Sequence, residues 1–226
     1  MKCSRLVPLL ALLFFIPSGD ALQSQSSDQS PASATITFDR VWDQITPQNI
    51  TLAVAADGHT KYVSHSDAKP PDTTEADDYK TEFTITPSCR EKIFRYAKDT
   101  NYFQGDFSYK KRVASTGKKT LTYADSMHHA NTTYDYSEDR AIQELTNIFL
   151  GISNTVEYGR KLEFKHHYDK LGLEDELKGM EAAQASHSLE QLQIIASTLE
   201  SILEDTSVLN IARQRAKRLL AKASSE

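Results

Sequence analysis

The sequence predicts an α+β protein in which an antiparallel sheet with packed helices is followed by a C-terminal all-α helical hairpin region. From about residue 35 to residue 136, apolar and polar residues alternate at a period of two, which is typical of half-buried strands. Beyond Gly151 the apolar residues recur at helical spacing, and glycine and proline are scarce. We therefore expect a signal peptide (1–21), a flexible linker (22–34), an α+β sheet domain (35–152) and a helical region (153–226).

The N-terminus has the layout of a secretory signal peptide. Lys2 and Arg5 precede an apolar run at 6–17, and small residues then lead to Ala21, where we expect cleavage. The run is shorter than the roughly 20 apolar residues that span a bilayer, so an uncleaved anchor is the less favoured alternative. The linker that follows is rich in serine and glutamine. We expect a soluble exported protein, either periplasmic or extracellular.

The charge of the chain argues against a nucleic-acid partner. The sequence has 26 basic and 31 acidic residues and a formal net charge of -5. Cleavage after Ala21 removes two basic residues and one acidic residue, which leaves 24 and 30 and a net charge of -6. Domains that bind nucleic acid are usually strongly basic, so this composition favours other partners.

Cys89 is the only cysteine that remains after cleavage, so no intrachain disulfide is expected. It follows Thr86 and Pro87, a favourable N-cap and a favourable first residue for a helix. Helical spacing then places Cys89 on one face with Ile93, Phe94 and Ala97. We expect Cys89 to be buried, as unpaired cysteines commonly are. The alternative is a reactive thiol, because the first turn of a helix lowers thiol pKa values.

Seven segments with alternating apolar residues are predicted to be strands. They lie at 35–43, 49–56, 59–65, 79–85, 103–113, 118–125 and 130–136. Asp57 and Gly58 form a typical two-residue hairpin turn, and closing the hairpin on them pairs Leu52 with Val63. The acidic loop at 66–78 lacks the glycine-centred order of a calcium loop, so a solvated loop is predicted there.

Helical periodicity begins after the last predicted strand. We expect a helix over 137–152, capped by Ser137, with a buried stripe of Ala141, Ile142, Leu145, Ile148, Phe149 and Ile152. Amphipathic segments at 188–205 and 207–222 should fold back as an antiparallel hairpin across a turn at Asp205. The segment 155–184 supplies one or two more helices, with a packed side of Leu162, Phe164, Tyr168 and Leu171.

The segment 127–139 concentrates histidine, tyrosine and carboxylate side chains. Pairing Leu121 with Tyr134 across the two flanking strands places His128 and His129 at a hairpin tip, close to Asp125. Zinc-binding histidines usually recur at spacings that return to the same face, and adjacent histidines do not. We expect an ordinary hairpin tip and keep His128, His129 and Asp125 as weak candidates for a metal site.

Two further features are interpreted as ordinary surfaces. His166 and His167 are adjacent on a predicted helix, where neighbouring side chains point about 100° apart. The last helix has a basic side that could attract anionic lipid, formed by Arg213, Arg215, Lys217, Arg218 and Lys222. Its apolar face is needed to close the helical hairpin, so membrane binding is the less favoured alternative.

No motif in the sequence specifies a catalytic mechanism or a cofactor. The nucleophile elbow G-x-S-x-G, the zinc motif H-E-x-x-H and Gly-rich phosphate loops are absent. The segment 115–119 is similar to the end of a P-loop but lacks the leading glycine, and a turn is predicted there. We assign no catalytic residues, no cofactor-binding residues and no cofactor.

Several segments, taken in order, resemble uncharacterised exported proteins of acidobacterial type. They lie at 101–107, 116–125, 141–152, 166–177 and 209–223. The resemblance covers most of the chain beyond the signal peptide and implies a bacterial protein in the periplasm or outside the cell. It implies no activity and no site residues.

The export signal and the absence of a catalytic motif favour a non-enzymatic module that binds a partner or supports an envelope assembly. Its partner would be a protein or an envelope component. The alternative is a metal-dependent or other hydrolase that uses a histidine pair. An enzyme should bring His128 or His129 into a concave pocket with carboxylates, whereas a binding module should leave both on an open tip.

Overall fold

A computed structural model of the chain describes residues 34–67 and 77–224. The predicted signal peptide, almost all of the predicted linker and most of the acidic loop lie outside the described residues. Within the described residues, six strands form one antiparallel sheet, and helices pack on it and follow it. The predicted α+β class is therefore confirmed.

The sheet is built from two groups of strands. Its members are β1 (Thr35–Val41), β2 (Asn49–Ala55), β3 (His59–Ser66), β4 (Asp77–Thr84), β5 (Lys118–Ala124) and β6 (His129–Tyr134). The order across the sheet is β4-β3-β2-β1-β5-β6, so β1 to β4 form a meander and β5 returns to pair with β1. The period-two pattern places one set of side chains on the buried face, including Ile36, Phe38, Leu52, Val54, Leu121 and Tyr123.

Five α-helices lie within the described residues: α1 (Pro87–Asp99), α2 (Arg140–Tyr168), α3 (Leu173–Ala185), α4 (Ala196–Glu204) and α5 (Asn210–Ala223). Helix α1 begins as predicted, because the Thr86 side chain accepts a hydrogen bond from the N–H of Cys89 and Pro87 is the first helical residue. Cys89, Ile93 and Ala97 are buried on the face that helical spacing predicted.

The 29-residue helix α2 connects the sheet to the helical region. On the buried face of the sheet, Phe149 stacks on Phe38 with ring centroids 5.1 Å apart. Buried apolar residues as far as Val156 belong to a core shared with the sheet, and those from Leu162 onward belong to a second core with α3, α4 and α5. The boundary expected near residue 152 therefore falls inside α2, which contributes to both cores.

Helices α4 and α5 pack against each other across the turn at Asp205, as the predicted helical hairpin requires. The side chains that close this pair are buried, among them Leu199, Ile202, Ala212, Ala216 and Leu219. The Asp205 carboxylate accepts a hydrogen bond from the N–H of Ser207 at 2.9 Å and lies 2.9 Å from Nε2 of His166 on α2. The hairpin turn is thereby attached to the end of α2.

The predicted register of the β2–β3 hairpin is wrong by one residue. The hairpin closes on three residues rather than two. A two-residue type I′ turn needs a positive φ at both positions, and in this loop only Gly58 has one, at +90°. Leu52 therefore lies opposite Tyr62 instead of Val63. Since a one-residue shift exchanges the two faces of a strand, Tyr62 rather than Val63 enters the core.

The predicted register of the β5–β6 hairpin is wrong by two residues. Leu121 lies opposite Thr132 instead of Tyr134, and the tip is a tight turn in which the N–H of Asp125 donates to the carbonyl of His128 at 2.9 Å. An even shift keeps each side chain on the predicted face of its strand. His129 consequently belongs to β6 and not to the tip.

The predicted strand at 103–113 does not form. Asn101, Tyr102 and Phe103 make a 3-10 turn with φ values of 50°, 56° and 65°, and residues 104–117 have no regular structure. Phe103 is nevertheless buried and Phe107 packs against the same core. The alternating pattern thus identified buried side chains in a segment that has no partner strand.

Two predictions about α2 are also corrected. The helix begins after Asp139 rather than Ser137, because the Asp139 carboxylate accepts a hydrogen bond from the N–H of Ile142 at 3.0 Å. Of the four residues expected on the packed side near its end, Leu162 is buried. The other three, Phe164, Tyr168 and Leu171, are exposed by 62%, 73% and 75%. Among the described helices, none combines the length and the apolar character needed to cross a membrane.

Candidate functional site

A row of five side chains, four of them polar, crosses the buried face of the sheet near one end. The row runs in register over five strands, from Ser64 on β3 through Ile50, Arg40 and Lys119 to Tyr134 on β6. Arg40 is 8% exposed and Lys119 is 4% exposed. Basic side chains are seldom buried this deeply unless they are paired, so these two positions are the least expected feature of the core.

Lys119 is held by the protein itself. Its ammonium group donates to the carbonyl oxygens of Thr116, Gly117 and Asp135 and to the Thr116 hydroxyl, at 2.8–3.0 Å. An ammonium group has three N–H bonds, so these four oxygens use its whole donor capacity. Burial lowers the pKa of Lys119; the Asp135 carboxylate opposes this shift and the charge of Arg40 adds to it.

Arg40 has donors that the protein leaves unused. Within the described residues its guanidinium makes one hydrogen bond, from Nη2 to the carbonyl oxygen of Pro47 at 2.9 Å. Its Nε is buried and has no partner. Burial lowers the pKa of Arg40, while Tyr62 and Glu157 oppose this shift. The guanidinium is thus a buried donor group next to a second buried cation.

Both basic residues line a pocket of about 500 Å³ between the sheet and the first half of α2. Pockets that hold small ligands commonly have volumes of about 300–1,000 Å³. Aromatic and apolar side chains form one part of its wall: Trp42, Tyr134, Tyr136 and Leu150. Polar side chains of α2 form another part: Gln143, Thr146 and Asn147.

The position of Trp42 depends on a close approach to Gly117. Gly117 has a φ of +88°, and a Cβ at this position would lie 2.6 Å from the Cβ of Trp42. Glycine is therefore required for the two segments to meet. The indole N–H of Trp42 is buried and has no hydrogen-bond partner. The pocket wall thus carries a second unpaired N–H donor besides that of Arg40.

The polar wall on α2 is fixed by short hydrogen bonds. The hydroxyls of Tyr134 and Thr146 are 2.7 Å apart, and Thr146 also donates to the carbonyl of Ile142 at 2.7 Å. Burial raises the pKa of Tyr134 to about 12, so its phenol is neutral at physiological pH. Of the pocket-lining side chains, Arg40, Lys119 and Asp135 carry a charge, which gives the lining a net charge of +1.

Sequence reasoning missed this pocket, although a signal for it was present. Arg40 continues the inward series that begins with Ile36 and Phe38, and Lys119 begins the inward series that continues with Leu121. A basic residue in phase with buried apolar residues of a strand is the signal. The turn predicted at 115–119 does not include Lys119, which lies in β5 on its buried face.

A buried carboxylate, Glu157, lies on the same helix and faces the sheet. It accepts hydrogen bonds from the hydroxyls of Tyr62 at 2.8 Å and Ser64 at 2.9 Å, and it pairs with Arg160 at 3.1 Å. The charge of Glu157, together with burial, raises the pKa of Tyr62 far above its ordinary value. Both Glu157 oxygens are therefore occupied by protein partners, which is typical of a structural group.

The three weak metal candidates do not converge on one point. Asp125 accepts hydrogen bonds from the N–H of His128 at 2.6 Å and from the hydroxyl of Tyr123 at 2.8 Å, and its carboxylate lies 3.2 Å from Nδ1 of His128. The His128 ring stacks on Tyr102 with centroids 5.1 Å apart. His129 is exposed and is the first residue of β6. Within residues 34–67 and 77–224, no three His, Cys, Asp or Glu side chains are grouped so that they could hold a metal ion.

The basic side of the last helix is partly engaged with its neighbours. Arg215 pairs with Glu174 at 3.1 Å and also with Glu181, and Arg218 pairs with Glu181 at 2.8 Å. Arg213 donates to the carbonyl of Leu203 at 2.8 Å. Arg213, Arg215 and Arg218 therefore have partners inside the helical region.

No protein-family model matches the chain, and no curated protein matches its sequence. The geometry of the pocket and the chemistry of its lining are therefore the basis for a functional proposal. Among the sites described above, this pocket is the one that combines a concave space with lining residues whose buried N–H donors have no partner.

Proposed function

We propose that the protein is an exported, non-enzymatic binding module that holds a small organic anion in the pocket lined by Arg40 and Lys119. The observation that carries the proposal is Arg40, which is 8% exposed, has an Nε without a hydrogen-bond partner and lines a pocket large enough for a small ligand. Buried polar groups are rarely left unpaired, so an unpaired cationic donor beside a pocket favours an anion as the ligand.

The electrostatics of the pocket support the same ligand class. Arg40 and Lys119 lie directly opposite each other on β1 and β5, and like charges in this arrangement repel. An anion at the Arg40 guanidinium would reduce that repulsion and would accept hydrogen bonds from guanidinium N–H groups that have no protein partner. Lys119 contributes charge rather than donors, because protein oxygens already occupy its ammonium group.

The N-terminal pattern of a basic start, an apolar run and small residues supports the exported setting. The resemblance to exported proteins of acidobacterial type agrees with it. A hydrolase that uses a histidine pair is less well supported, because His128 pairs with Asp125 on the hairpin tip while His129 is exposed on β6. Neither histidine lines the pocket at Arg40.

Trp42 gives a direct way to test the proposal, because it is the only tryptophan in the chain and it lines the pocket. We would titrate the purified protein with phenylacetate, hexanoate, benzenesulfonate and phenyl phosphate and follow tryptophan fluorescence and heat of binding. At least one of these anions should give a saturable signal. Arg40→Met should weaken that binding at least about tenfold, since a hydrogen bond to a charged group contributes about 1.5–3 kcal/mol.

Lys118→Met is the matched control. It removes the same charge from an exposed position adjacent to Lys119 in the sequence, on the opposite face of β5. This variant should bind the anions as the wild type does. Circular dichroism would verify that both variants are folded. The proposal is wrong if none of the four anions binds, or if folded Arg40→Met binds them as tightly as the wild type.

A further inference from the structure

We infer that the ligand is a monocarboxylate joined to an aromatic or other apolar group. This inference rests on the proposed function and specifies the ligand class of the same pocket. It follows from the charge of the pocket lining, from the donors that the lining has left, and from the apolar part of the wall.

The charge of the lining fits a single negative charge. Arg40 and Lys119 contribute two positive charges and Asp135 contributes one negative charge, so a monoanion neutralises the lining. A dianion would leave one uncompensated negative charge in a largely buried site, which is costly in a medium of low dielectric constant. Glu157 lies close enough to Arg40 to oppose the shift in its pKa, and it adds to the repulsion of a second negative charge.

The donors that remain also fit a carboxylate. The Lys119 ammonium is fully used by four protein oxygens, and one Arg40 N–H is used by Pro47. The rest of the Arg40 guanidinium is a planar group of N–H donors, which matches the two oxygens of a carboxylate.

The apolar part of the lining calls for an apolar group on the same ligand. Trp42, Tyr134, Tyr136 and Leu150 line a volume of about 500 Å³, far more than a carboxylate alone would fill. Aromatic side chains gain about 0.5–1.5 kcal/mol from stacked or edge-to-face ring contacts in addition to the burial of apolar surface. A carboxylate without an apolar body would leave this wall facing water and would bind weakly.

Four small ligands test the requirement for one negative charge and the requirement for an apolar group separately. We would compare phenylacetate, phenyl phosphate, phenylacetamide and acetate at pH 8, where the phosphate ester is dianionic, by tryptophan fluorescence and calorimetry. Phenylacetate should bind at least tenfold more tightly than each of the other three. Phenylacetamide keeps the ring without the charge, acetate keeps the charge without the ring, and phenyl phosphate adds a second charge.

The outcomes distinguish the ligand class from the proposed function. If phenyl phosphate binds as tightly as phenylacetate and the binding requires Arg40, the monocarboxylate class is wrong while the anion-binding function stands. If acetate binds as tightly as phenylacetate, the apolar requirement is wrong. If hexanoate and benzenesulfonate also fail to bind alongside phenylacetate and phenyl phosphate, the proposed function itself fails.

Asp135→Asn provides a second, independent test. The substitution keeps an oxygen that can accept from the N–H of Thr116, which donates to Asp135 at 2.7 Å, and it raises the net charge of the lining from +1 to +2. The preference for phenylacetate over phenyl phosphate should fall at least threefold in this variant. An unchanged preference would show that the charge of the lining does not select the ligand.

Discussion

Arg40 and Lys119 are direct neighbours across the β1–β5 pair, and both side chains lie on the buried face of the sheet. Like charges directly opposite each other in a sheet are destabilising. Burial lowers the pKa of both groups, which is the expected direction for cations moved out of water. The proposed anion binding would give a reason for two cations to occupy positions on the buried face of the sheet.

Arg40→Met should weaken anion binding but change the free energy of unfolding by less than about 1 kcal/mol. The substitution loses the hydrogen bond to Pro47, but it also removes the repulsion by Lys119 and the cost of burying a charge, and these effects offset each other. Urea denaturation at pH 7 measures the first effect, and ligand titration measures the second. A loss of more than about 3 kcal/mol would indicate that Arg40 is a structural residue.

Glu157→Leu should destabilise the protein by about 3 kcal/mol, because it removes the acceptor that the Tyr62 and Ser64 hydroxyls share. Hydrogen bonds to charged groups contribute about 1.5–3 kcal/mol each. Urea denaturation measures the change. Glu144→Leu, at a half-buried position on the same helix, is the control and should change stability by less than about 1 kcal/mol. Equal effects of the two substitutions would contradict the structural role of Glu157.

Asp125→Asn should remove an acid-dependent part of the stability. Hydrogen bonds from the N–H groups of Met127 and His128 and from the Tyr123 hydroxyl hold the pKa of Asp125 at about 2, below its ordinary value near 4. A carboxyl group whose pKa is lower in the folded than in the unfolded protein stabilises the fold above pH 4, and this contribution is lost as the pH falls toward 2.

The melting temperatures of the wild type and Asp125→Asn should therefore differ most above pH 4 and converge between pH 4 and pH 2. Thermal denaturation followed by circular dichroism between pH 2 and pH 7 measures this difference. Ser126→Ala, at an exposed position in the same tip, should keep the wild-type pH profile. Parallel curves for wild type and Asp125→Asn over the whole range would disprove the role assigned to this carboxylate.

Gly159→Ala should destabilise the protein although alanine is the better helix former. A Cβ at Gly159 would overlap Cγ2 of Ile195, where α2 meets the helical region. Overpacking of this kind typically costs 1–3 kcal/mol, which exceeds the gain of up to about 1 kcal/mol in helix propensity. Urea denaturation measures the net change.

Gly179→Ala on α3 is the matched control, because the nearest atom to its added Cβ is the Tyr158 hydroxyl at an ordinary 3.5 Å. This substitution should raise stability by up to about 1 kcal/mol. The double variant Gly159→Ala, Ile195→Ala should recover part of the stability lost through overlap, measured against Ile195→Ala alone. Stabilisation by Gly159→Ala alone would show that α2 does not pack this closely on Ile195.

Much of the fold could be predicted from local pattern. Period-two alternation identified the inward residues Ile36, Phe38 and Leu121, and helical spacing identified the stripe that α2 buries. The same alternation at 103–113 predicted a strand that does not form, because alternation reports which side chains are buried and not whether a neighbouring strand supplies hydrogen bonds. Phe103 and Phe107 reach the core from an irregular segment instead.

Hairpin registers were harder to predict than strand positions. The pattern Asp57-Gly58 permits either a two-residue turn or a three-residue loop with glycine in the left-handed region, and the second forms here. The choice decides whether Tyr62 or Val63 faces the core. Tyr62 donates a hydrogen bond to Glu157 of α2, a residue distant in the sequence. This contact forms only in the register that places Tyr62 on the buried face.

By itself, the sequence determined the α+β class, the positions of six of the seven predicted strands, the amphipathic helices and the burial of Cys89. Alternation, helical spacing and capping residues are local properties of the chain. Only the tertiary structure decided that β5 returns to β1 and so makes Arg40 and Lys119 neighbours. It also decided that α2 closes a pocket over them. Both results depend on which distant segments pair. Whether a charge is buried, and whether it has a hydrogen-bond partner, is decided by the assembled core and not by any one segment.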